Sequence, residues 1–578
     1  MKWMQLISLT ALLSLSGALA MAQSEDQRFD QLTADFLKGY FAANPIAATG
    51  IGVHDYDNIL DDVSPEAAGK EVARLKGFQD QLAHVDQKAL SKDKSIDWRI
   101  LSENIDEALF GYQELKEYEW NPLVYTGALG NSVAALIYQE FAPLDQRLKN
   151  AAARAEQVPR FLEQAKANLK NAPPIHVETA INQNQGNISL FKDELTKAAK
   201  GSPDEIKSQV AAGSAKAVAA LEEFGKWLTT DLKPRATRDA HLGKELFEKK
   251  LTHTLKSSLT PSDVLRRAMA EKDRVHREMY ALSAPLYKEY YGEDAAGKDS
   301  MTVIKKVLDK IVLDHPRKDE VMDVIKKIIP DLEEFVTKHD ILTLDPTQPL
   351  VIRETPEYER GVSVASMESP GPLEKNLKSF YNVTPIPDDW TPEQVESYLR
   401  EYNNWSLRDL SIHEGVPGHY VQLYYANRYP SIIRNVYGSG SMVEGWAVYA
   451  ERMMADEGYM NKDPRMKMIQ LKWYIRVVLN AIIDQKIHAY GMTQPEMMDL
   501  LMKEGFQEER EAAGKWRRAN LTSSQLSTYF VGFQEIWDLR EAYKKKMGAS
   551  FNLKKFHEDF LNHGSPTVKY IQELMLSE

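Results

Sequence analysis

Apolar residues recur along most of the chain at the three- and four-residue spacing of amphipathic helices. The first such stretch, residues 26–43, ends before a proline and has one apolar face, formed by Phe29, Leu32, Phe36 and Leu37. Proline and glycine separate further predicted helices over about residues 64–90, 95–118, 143–171, 203–232, 261–291 and 301–339. The pattern predicts a mainly α fold, built as a large helical array.

One region departs from this period. Residues 341–369 alternate between apolar and polar positions, as strands do, and they directly precede another pair of helical patterns. We therefore expect a small β-sheet next to those later helices. We also expect a deep cleft between an N-terminal helical region, residues 23–340, and a C-terminal region, residues 341–578, that carries the chemistry.

The composition of the chain limits the expected cellular location and binding partners of the protein. Residues 1–22 begin with one positive charge, continue with an apolar run and end in small residues, which is the pattern of a secretory signal peptide. The chain has no cysteine, so we expect no lipid-anchor cysteine, and no later stretch predicts a membrane span. A net charge of −12 argues against nucleic acid as a partner. These features predict a periplasmic or secreted protein of unknown oligomeric state.

The candidate chemistry lies in the string His413-Glu414-Gly415-Val416-Pro417-Gly418-His419 and in Glu444-Gly445-Trp446-Ala447. A catalytic zinc usually takes three protein ligands, often two histidines and one glutamate, and leaves the fourth position to water. His413, His419 and Glu444 can supply that set. Glu414 follows the first histidine directly, in the position of a general base. These residues predict a Zn²⁺-dependent hydrolase, although another divalent ion would also suit the set.

The histidine spacing differs from the common H-E-x-x-H. Two histidines six residues apart on a regular helix are separated by roughly 600° of turn, which places them on nearly opposite faces. The insertion contains Pro417-Gly418, and proline interrupts a helix while glycine admits unusual backbone angles. We therefore expect a local bulge that returns His419 to the side of His413.

These motifs resemble those of the bacterial domain-of-unknown-function family 885 (DUF885), whose pattern runs H-E-x-x-P-G-H and then E-G-W-A-x-Y-x-E. That family is similar to the gluzincin metallopeptidases. The resemblance covers roughly residues 340–578 and continues in separate motifs around Arg476, Asp484 and His488, Gln525 to Tyr529, and Phe556-His557. It implies a zinc peptidase whose sheet edge can pair with an extended peptide.

Further roles follow from the resemblance and from helical spacing. Tyr529 is the first candidate for stabilising the oxyanion, since gluzincin-like folds bring a C-terminal tyrosine over the zinc, and a half-buried core tyrosine is the alternative. Asp484 and His488 share a helix face and could orient each other, which would let His488 contact the substrate or join a polar core. Arg476 could hold a substrate carboxylate or pair with a buried acid.

Two more carboxylates lie near the motif in sequence. Glu451 follows Glu444 by two helical turns, so it could support a ligand histidine or replace Glu444 as ligand. Asp409 precedes His413 by one turn and is a further supporting candidate, or else a solvated residue near a helix start.

Three functions remain open at this point. The first is a peptidase acting on short peptides by activated water. The second is a zinc amidohydrolase acting on a non-peptide amide, which the same residues would serve. The third is a non-catalytic peptide-binding protein whose metal geometry the Pro-Gly insertion has spoiled. Neither the cleaved bond nor the preferred substrate terminus follows from the sequence.

Overall fold

The computed structural model describes residues 24–348, 350–355, 364–374 and 377–577, so the predicted signal peptide lies outside the described residues. Within those ranges the chain is mainly α-helical with one small sheet, which confirms the predicted fold class. None of the helices described is both long and apolar enough to cross a membrane.

The first half of the chain forms helices only. They are α1 (Glu25–Ala43), α2 (Pro45–Ile51), α3 (Pro65–Ala83), α4 (Lys92–Phe110), α5 (Glu117–Trp120), α6 (Leu123–Tyr138), α7 (Leu144–Asn168), α8 (Pro174–Ser189), α9 (Leu195–Ala198), α10 (Asp204–Trp227), α11 (Lys244–Leu255), α12 (Pro261–Tyr291), α13 (Ser300–Ile311) and α14 (Val321–Lys338). The predicted helix over 301–339 is two helices, α13 and α14. The expectation missed α6, which is apolar on most of its faces and therefore shows no clear period.

The second half contains the sheet and the remaining helices. They are β1 (Leu350–Glu354), β2 (Ala365–Glu368), β3 (Ser379–Val383), α15 (Pro392–Glu401), α16 (Asn404–Glu414), α17 (His419–Ala426), α18 (Ile432–Val436), α19 (Gly440–Asp456), α20 (Pro464–Tyr490), α21 (Gln494–Lys503), α22 (Glu509–Leu521), α23 (Leu526–Met547), α24 (Leu553–Leu561) and α25 (Val568–Leu576). The strands at 350–354 and 365–368 fall within the predicted region, whereas β3 follows it.

The sheet has the order β1-β3-β2, so β2 is an edge strand. β1 runs parallel to β3, with Leu350 opposite Ser379, and β2 runs antiparallel to β3, with Ala365 opposite Val383. Tyr381 in the central strand is fully buried, and its hydroxyl lies 3.2 Å from the Ser411 hydroxyl of α16. The sheet therefore packs directly on the helix that carries His413 and Glu414.

Three large apolar clusters, with a small fourth one of Phe110, Leu115 and Trp120, form the core of the described residues. One consists of residues from α6 to α10, and a second is centred on α1, α3 and α4. The third and largest joins α11 to α14 with the sheet and with the helices after it. Helices α11 to α14 thus share their core with the C-terminal region, whereas the sequence-based division placed the boundary at residue 340.

A buried ion pair fixes α4 against the segment that leads into α19. The Arg434 side chain is fully buried and donates from Nε to Asp97 (2.8 Å) and from Nη2 to Asp93 (2.9 Å). A buried guanidinium with carboxylate partners holds a firm geometry, because separating it from both of them would leave a buried charge without a partner. The N-terminal half is thereby held close to the helix that carries Glu444.

Candidate metal centre

A break between two helices brings the histidines of the motif together. Helix α16 ends at Glu414, and α17 begins at His419 after a four-residue turn that contains a cis peptide bond between Val416 and Pro417. The Gly418 N–H donates to the Ile412 carbonyl (3.0 Å), and a Cβ on Gly418 would clash with the His413 carbonyl oxygen. The expected bulge inside one helix is instead a complete turn between two helices.

Trp446 fixes this turn from the neighbouring helix. The indole is fully buried, and its Nε1–H donates to the Pro417 carbonyl oxygen at 2.8 Å. Trp446 lies two residues after Glu444 on α19. The same short motif therefore supplies a carboxylate to the site and holds the turn that positions His419.

The glycine between those two residues allows a close helix crossing. A Cβ on Gly445 would clash with the backbone of Gly532, and one on Gly532 would clash with the Ser441 carbonyl oxygen. Only glycine permits this approach of α19 to α23, since any side chain would force the two backbones apart. Because Tyr529 precedes Gly532 by one helical turn, the crossing also brings Tyr529 toward Glu444.

The three predicted ligands form one cluster. His413, His419 and Glu444 each offer a ligand atom, and these atoms lie within 4.8 Å of one another. Glu444 Oε2 is 3.4 Å from His419 Nε2 and 3.7 Å from His413 Nε2, and the two imidazole planes are nearly perpendicular at 87°. No other group of this kind occurs in the described part of the chain.

The electrostatics of the cluster favour an ionised Glu444. Burial alone would raise the pKa of the Glu444 carboxyl group. Hydrogen bonds with His413 and His419, and the charges of both rings, outweigh burial and lower that pKa below its ordinary value. An ionised carboxylate beside two imidazole nitrogens is a donor set that suits a divalent cation.

Glu451 supports His413 from behind. The His413 Nδ1–H donates to Glu451 Oε1 at 2.6 Å, which leaves Nε2 to face Glu444 and His419. Asp409 is fully buried beside this pair, and burial and then the charge of Glu451 raise its pKa well above the ordinary value. Both carboxylates that the sequence placed near the motif therefore lie at this histidine, with Glu451 behind the ring.

Glu414 lies between the cluster and the sheet. The Met367 backbone N–H of β2 lies near its carboxylate and favours the ionised form. Burial raises the pKa of Glu414 above its ordinary value, and the nearby charges of His419 and His413 oppose that rise. A carboxylate with a raised pKa is better matched to proton transfer near neutral pH than an exposed one.

The Tyr529 hydroxyl oxygen accepts two hydrogen bonds. Its hydroxyl oxygen accepts from Arg518 Nη2 (3.1 Å) and from Gln525 Nε2 (3.3 Å). Burial and then the negative charge of Glu444 raise its pKa, so the hydroxyl is protonated and lies within electrostatic range of the cluster. Its hydrogen is therefore free to donate to another acceptor.

His488 and Asp484 are not members of the ligand cluster, and each has hydrogen-bond partners other than the other one. His488 Nε2–H donates to the Ala519 carbonyl (2.8 Å), and burial lowers its pKa to about 4. Asp484 accepts from the backbone N–H of Ser524 (3.0 Å) and from the N–H (3.1 Å) and hydroxyl (2.7 Å) of Ser527. The expectation that these two residues orient each other is thus not met, because backbone groups at the start of α23 and the end of α22 occupy them.

Arg476 also has partners within the protein. It donates from Nη1 to Glu401 (2.8 Å) and from Nη2 to Glu511, and Lys472 donates to the other Glu401 oxygen (2.7 Å). This arrangement corresponds to the structural pairing that the sequence left open, and it leaves no free fork for a substrate carboxylate.

Several groups that shape the candidate site were not identified from the sequence. Arg518 and Gln525 orient the Tyr529 hydroxyl, and Gln525 also accepts from Arg518 at 3.0 Å. Gln525 belongs to the motif that precedes Tyr529, and its four-residue offset from that tyrosine was the available signal. The contact from Met367 had no sequence signal, because it uses a backbone N–H of an edge strand.

Comparisons with known proteins place the chain among uncharacterised relatives. A family described as "Bacterial protein of unknown function (DUF885)" matches residues 45–575. A solved structure described as "a putative lipoprotein of unknown function" from Shewanella oneidensis is 39% identical, and the match covers 95% of this chain and 100% of that one with a TM-score of 0.82. A second, "the putative lipoprotein from Colwellia psychrerythraea", is 15% identical with a TM-score of 0.79, covering 96% of this chain and 98% of that one, and it shows the fold alone. No curated protein matches the chain.

Proposed function

The chain belongs to the DUF885 family, and from that premise we propose that it is a zinc-dependent peptidase that hydrolyses short peptides. The observation that carries the proposal is the cluster of His413, His419 and Glu444, with Glu414 directly beside it. A periplasmic or secreted location is part of the proposal, and it is supported by the similar Shewanella oneidensis protein, which is described as a putative lipoprotein.

The donor set fits zinc in chemistry and in spacing. Two atoms that each lie about 2.1 Å from a tetrahedral zinc are roughly 3.4 Å apart. The distances from Glu444 Oε2 to His419 Nε2 and to His413 Nε2 are 3.4 Å and 3.7 Å. The Glu451 carboxylate behind His413 adds the hydrogen bond that usually fixes the orientation of a ligand histidine. At this site zinc would supply a Lewis acid that polarises a carbonyl group and lowers the pKa of water to about 7.

Glu414 is the general base in this proposal. It takes a proton from the attacking water and passes it to the nitrogen of the leaving amine, so one carboxylate serves both halves of the hydrolysis. The nearby Met367 N–H orients the carboxylate, and the raised pKa of Glu414 favours uptake of the water proton in the first transfer. The base is thus held by the sheet on one side and by α16 on the other.

Tyr529 donates a hydrogen bond to the carbonyl oxygen as negative charge develops on it. Arg518 and Gln525 hold the hydroxyl so that its hydrogen has no acceptor in its own network. A donor fixed in advance stabilises the developing charge without reorganising at the moment of reaction. Substitution by phenylalanine should lower kcat more than it raises KM.

The edge of the sheet favours a peptide over another amide. The Thr384 N–H donates to the Val364 carbonyl (2.8 Å), so the alternate residues Ala365 and Met367 direct their backbone groups away from β3. Among the described residues no second strand pairs with that edge, which lies on the side of Glu414, and an extended peptide could add its own backbone hydrogen bonds there.

A cleavage assay on metal-free and zinc-loaded protein tests the proposal. A mixture of unmodified peptides should be cleaved by the zinc-loaded protein, with products identified by mass spectrometry, and chelation should stop cleavage until zinc is returned. Hydrolysis restricted to non-peptide amides would favour an amidohydrolase. Tight peptide binding without cleavage by fully loaded protein would favour a binding protein.

A further inference from the structure

Helix α22 carries two cationic residues, Lys515 and Arg518, of which the second contacts Tyr529. Arg518 Nη2 donates to the Tyr529 hydroxyl (3.1 Å) and to Gln525 Oε1 (3.0 Å). Lys515 precedes Arg518 by one helical turn, so the two side chains leave the same side of the helix and lie within electrostatic range of each other. This cationic pair, Lys515 and Arg518, therefore adjoins the hydroxyl that we assign to the carbonyl oxygen of the substrate.

The Arg518 guanidinium retains N–H groups for a further acceptor. The residue is exposed, and both of its hydrogen bonds use a single nitrogen, Nη2. Its Nη1 and Nε donate to no residue in the described part of the chain, and no carboxylate there forms an ion pair with it. Carboxylates are the acceptors that a guanidinium binds most strongly in proteins.

Lys515 is a buried ammonium group without a partner. The residue is 7% exposed, and none of the described residues accepts a hydrogen bond from Nζ or forms an ion pair with it. In contrast to the unpaired polar atoms that the protein encloses completely, Nζ keeps some exposed surface. Burial and then the positive charge of Arg476 lower the pKa of the Lys515 ammonium group to about 7. An anion that reached Nζ would offset this cost of burying a charge.

The acidic residues closest to Lys515 are occupied by other cations. Glu401 accepts from Lys472 (2.7 Å) and from Arg476 (2.8 Å), both on α20. Glu511, one helical turn before Lys515, accepts from the other end of the Arg476 guanidinium. These pairs leave Lys515 without a counterion within the described ranges, so the surroundings of the cationic pair favour a negatively charged ligand.

The contact with Tyr529 limits which carboxylate the pair could bind. An extended residue spans about 3.5 Å. Because Arg518 touches the same hydroxyl that would donate to the cleaved carbonyl group, one or two residues would separate that carbonyl from a carboxylate held by Arg518 and Lys515. The C-terminal carboxylate is the one that every peptide offers at such a distance, whatever its side chains.

We propose that Lys515 and Arg518 bind the C-terminal carboxylate of the peptide substrate, so that the protein releases one or two residues from that end. The cleavage consumes one water, whose oxygen enters the new carboxyl group of the shortened peptide and whose proton goes to the nitrogen of the released fragment. This inference rests on the proposed peptidase function and adds to it the end of the peptide that is attacked.

Cleavage of matched alanine pentapeptides by the zinc-loaded native protein provides the first test. The free acid should lose one or two C-terminal residues, identified by mass spectrometry. The C-terminal amide should have a kcat/KM about 10- to 100-fold lower, because it lacks the charge that the pair binds. Acetylation of the N-terminus should have no effect.

Two outcomes of this test would contradict the proposal. Equal cleavage of the acid and the amide would overturn it. Restored cleavage of an amide that carries one glutamate near its C-terminus would assign the pair to acidic side chains and overturn the assignment to the C-terminal carboxylate.

A variant of Lys515 tests the residue assignment. Lys515→Met removes the charge at similar volume, and urea unfolding should show no loss of stability because the buried ammonium group has no partner to lose. The variant should raise KM for the free acid about 10-fold or more, leave kcat within a few-fold and leave KM for the amide unchanged. Lys515→Arg should retain the preference for the acid.

Arg517→Met is the matched control, because Arg517 is exposed on the same helix and donates to Thr179 instead. It should leave KM for both peptides unchanged. An equal rise in KM for the acid and the amide in Lys515→Met, or an unchanged preference for the acid, would overturn the role of Lys515.

The two proposals fail in different ways. Calorimetry with the zinc-loaded Glu414→Gln variant measures binding of the acid and the amide without cleavage, and the acid should bind about 10- to 100-fold more tightly. If the native protein cleaves none of these peptides, the peptidase function fails, while the calorimetry still reports on the cationic pair. If it cleaves the acid and the amide equally well, the function stands and the carboxylate assignment alone fails.

Discussion

Two histidines with the same local sequence pattern, His413 (partly buried) and His488 (buried), have contrasting surroundings in this protein. His413 on α16 and His488 on α20 each follow an aspartate by four residues. Burial would lower the pKa of His413, yet hydrogen bonds with Glu444 and Glu451 raise it well above the ordinary value. Burial lowers the pKa of His488 to about 4, and only a backbone carbonyl opposes that change.

The difference originates in the neighbouring helices. Helix α19 brings Glu444 and Glu451 to His413, so that ring faces carboxylates on both nitrogens. Helix α22 and the start of α23 bring backbone groups to His488 and Asp484, and the His488 ring stacks on Phe247 at 5.3 Å. An Asp and a His one turn apart therefore do not define a site. The groups that tertiary packing delivers to them decide between metal binding and structural support.

The largest expected contrast comes from removing each histidine. His413→Ala should lose zinc and all detectable peptidase activity, because one of three ligands is gone. His488→Ala should keep stoichiometric zinc and lose about 1–3 kcal/mol of folding free energy, because the Ala519 carbonyl loses its donor. Metal analysis and urea unfolding of both variants provide the measurement. Loss of zinc from both variants would contradict the assignment of His413 as a ligand and of His488 as a structural residue.

The second prediction separates catalysis from metal binding at the His413 site. Glu414→Gln should keep zinc and lower kcat about 10²- to 10⁴-fold, because the amide cannot accept the proton. Steady-state kinetics on the best peptide, with metal content measured on the same sample, checks this result. Glu393→Gln on the exposed start of α15 should leave both quantities unchanged. Near-native turnover in the Glu414 variant would remove the general base from the account.

Substitution of Glu451, which bonds to His413, and of Asp484, which lies one turn before His488, should have smaller and different effects. Glu451→Gln should weaken zinc binding about 10- to 100-fold, since it loosens the orientation of His413. Asp484→Asn should not change zinc affinity and should instead destabilise the start of α23 by about 1–3 kcal/mol. Competition with a coloured chelator measures the affinity. Equal affinities in the two variants would contradict the supporting role of Glu451.

The smallest effect is a pH dependence of stability. The folded-state pKa of His488, about 4, lies below the ordinary value of 6.5, so its contribution is complete above pH 6.5 and declines as pH falls toward 4. Between pH 7 and pH 5 this histidine should cost the native protein about 2 kcal/mol of unfolding free energy. His488→Gln should remove that increment, as measured by urea unfolding at both pH values. An unchanged pH dependence in the variant would place the titration elsewhere.

The sequence predicts the helical class well because periodicity reports burial on one face. It does so for α1 and α12, whose apolar stripes are regular, and it fails for α6, where most faces are apolar. The three candidate ligands could also be predicted from the sequence, since their residue types and the Pro-Gly insertion between the histidines indicate a metal site. The turn that joins α16 to α17 was not, because its form depends on Trp446 reaching Pro417 from another helix.

Local spacing also has a clear limit at the second histidine. The four-residue offset of Asp484 and His488 predicts a shared face, which the helix provides, but it cannot predict which atoms from α22 and α23 arrive there. The contact from the Met367 N–H to Glu414 is a similar case, because backbone groups of an edge strand have no residue-specific signature. In both cases, contacts from distant segments of the chain determine the partners that the sequence pattern could not predict.

Anomalous X-ray diffraction at the zinc edge, on crystals of protein loaded with one equivalent of zinc, tests the central claim most directly. The account predicts one strong peak about 2.1 Å from His413 Nε2, His419 Nε2 and the Glu444 carboxylate, and no peak at His488. A bound zinc found elsewhere, or no peak between those three side chains in loaded protein, would contradict it.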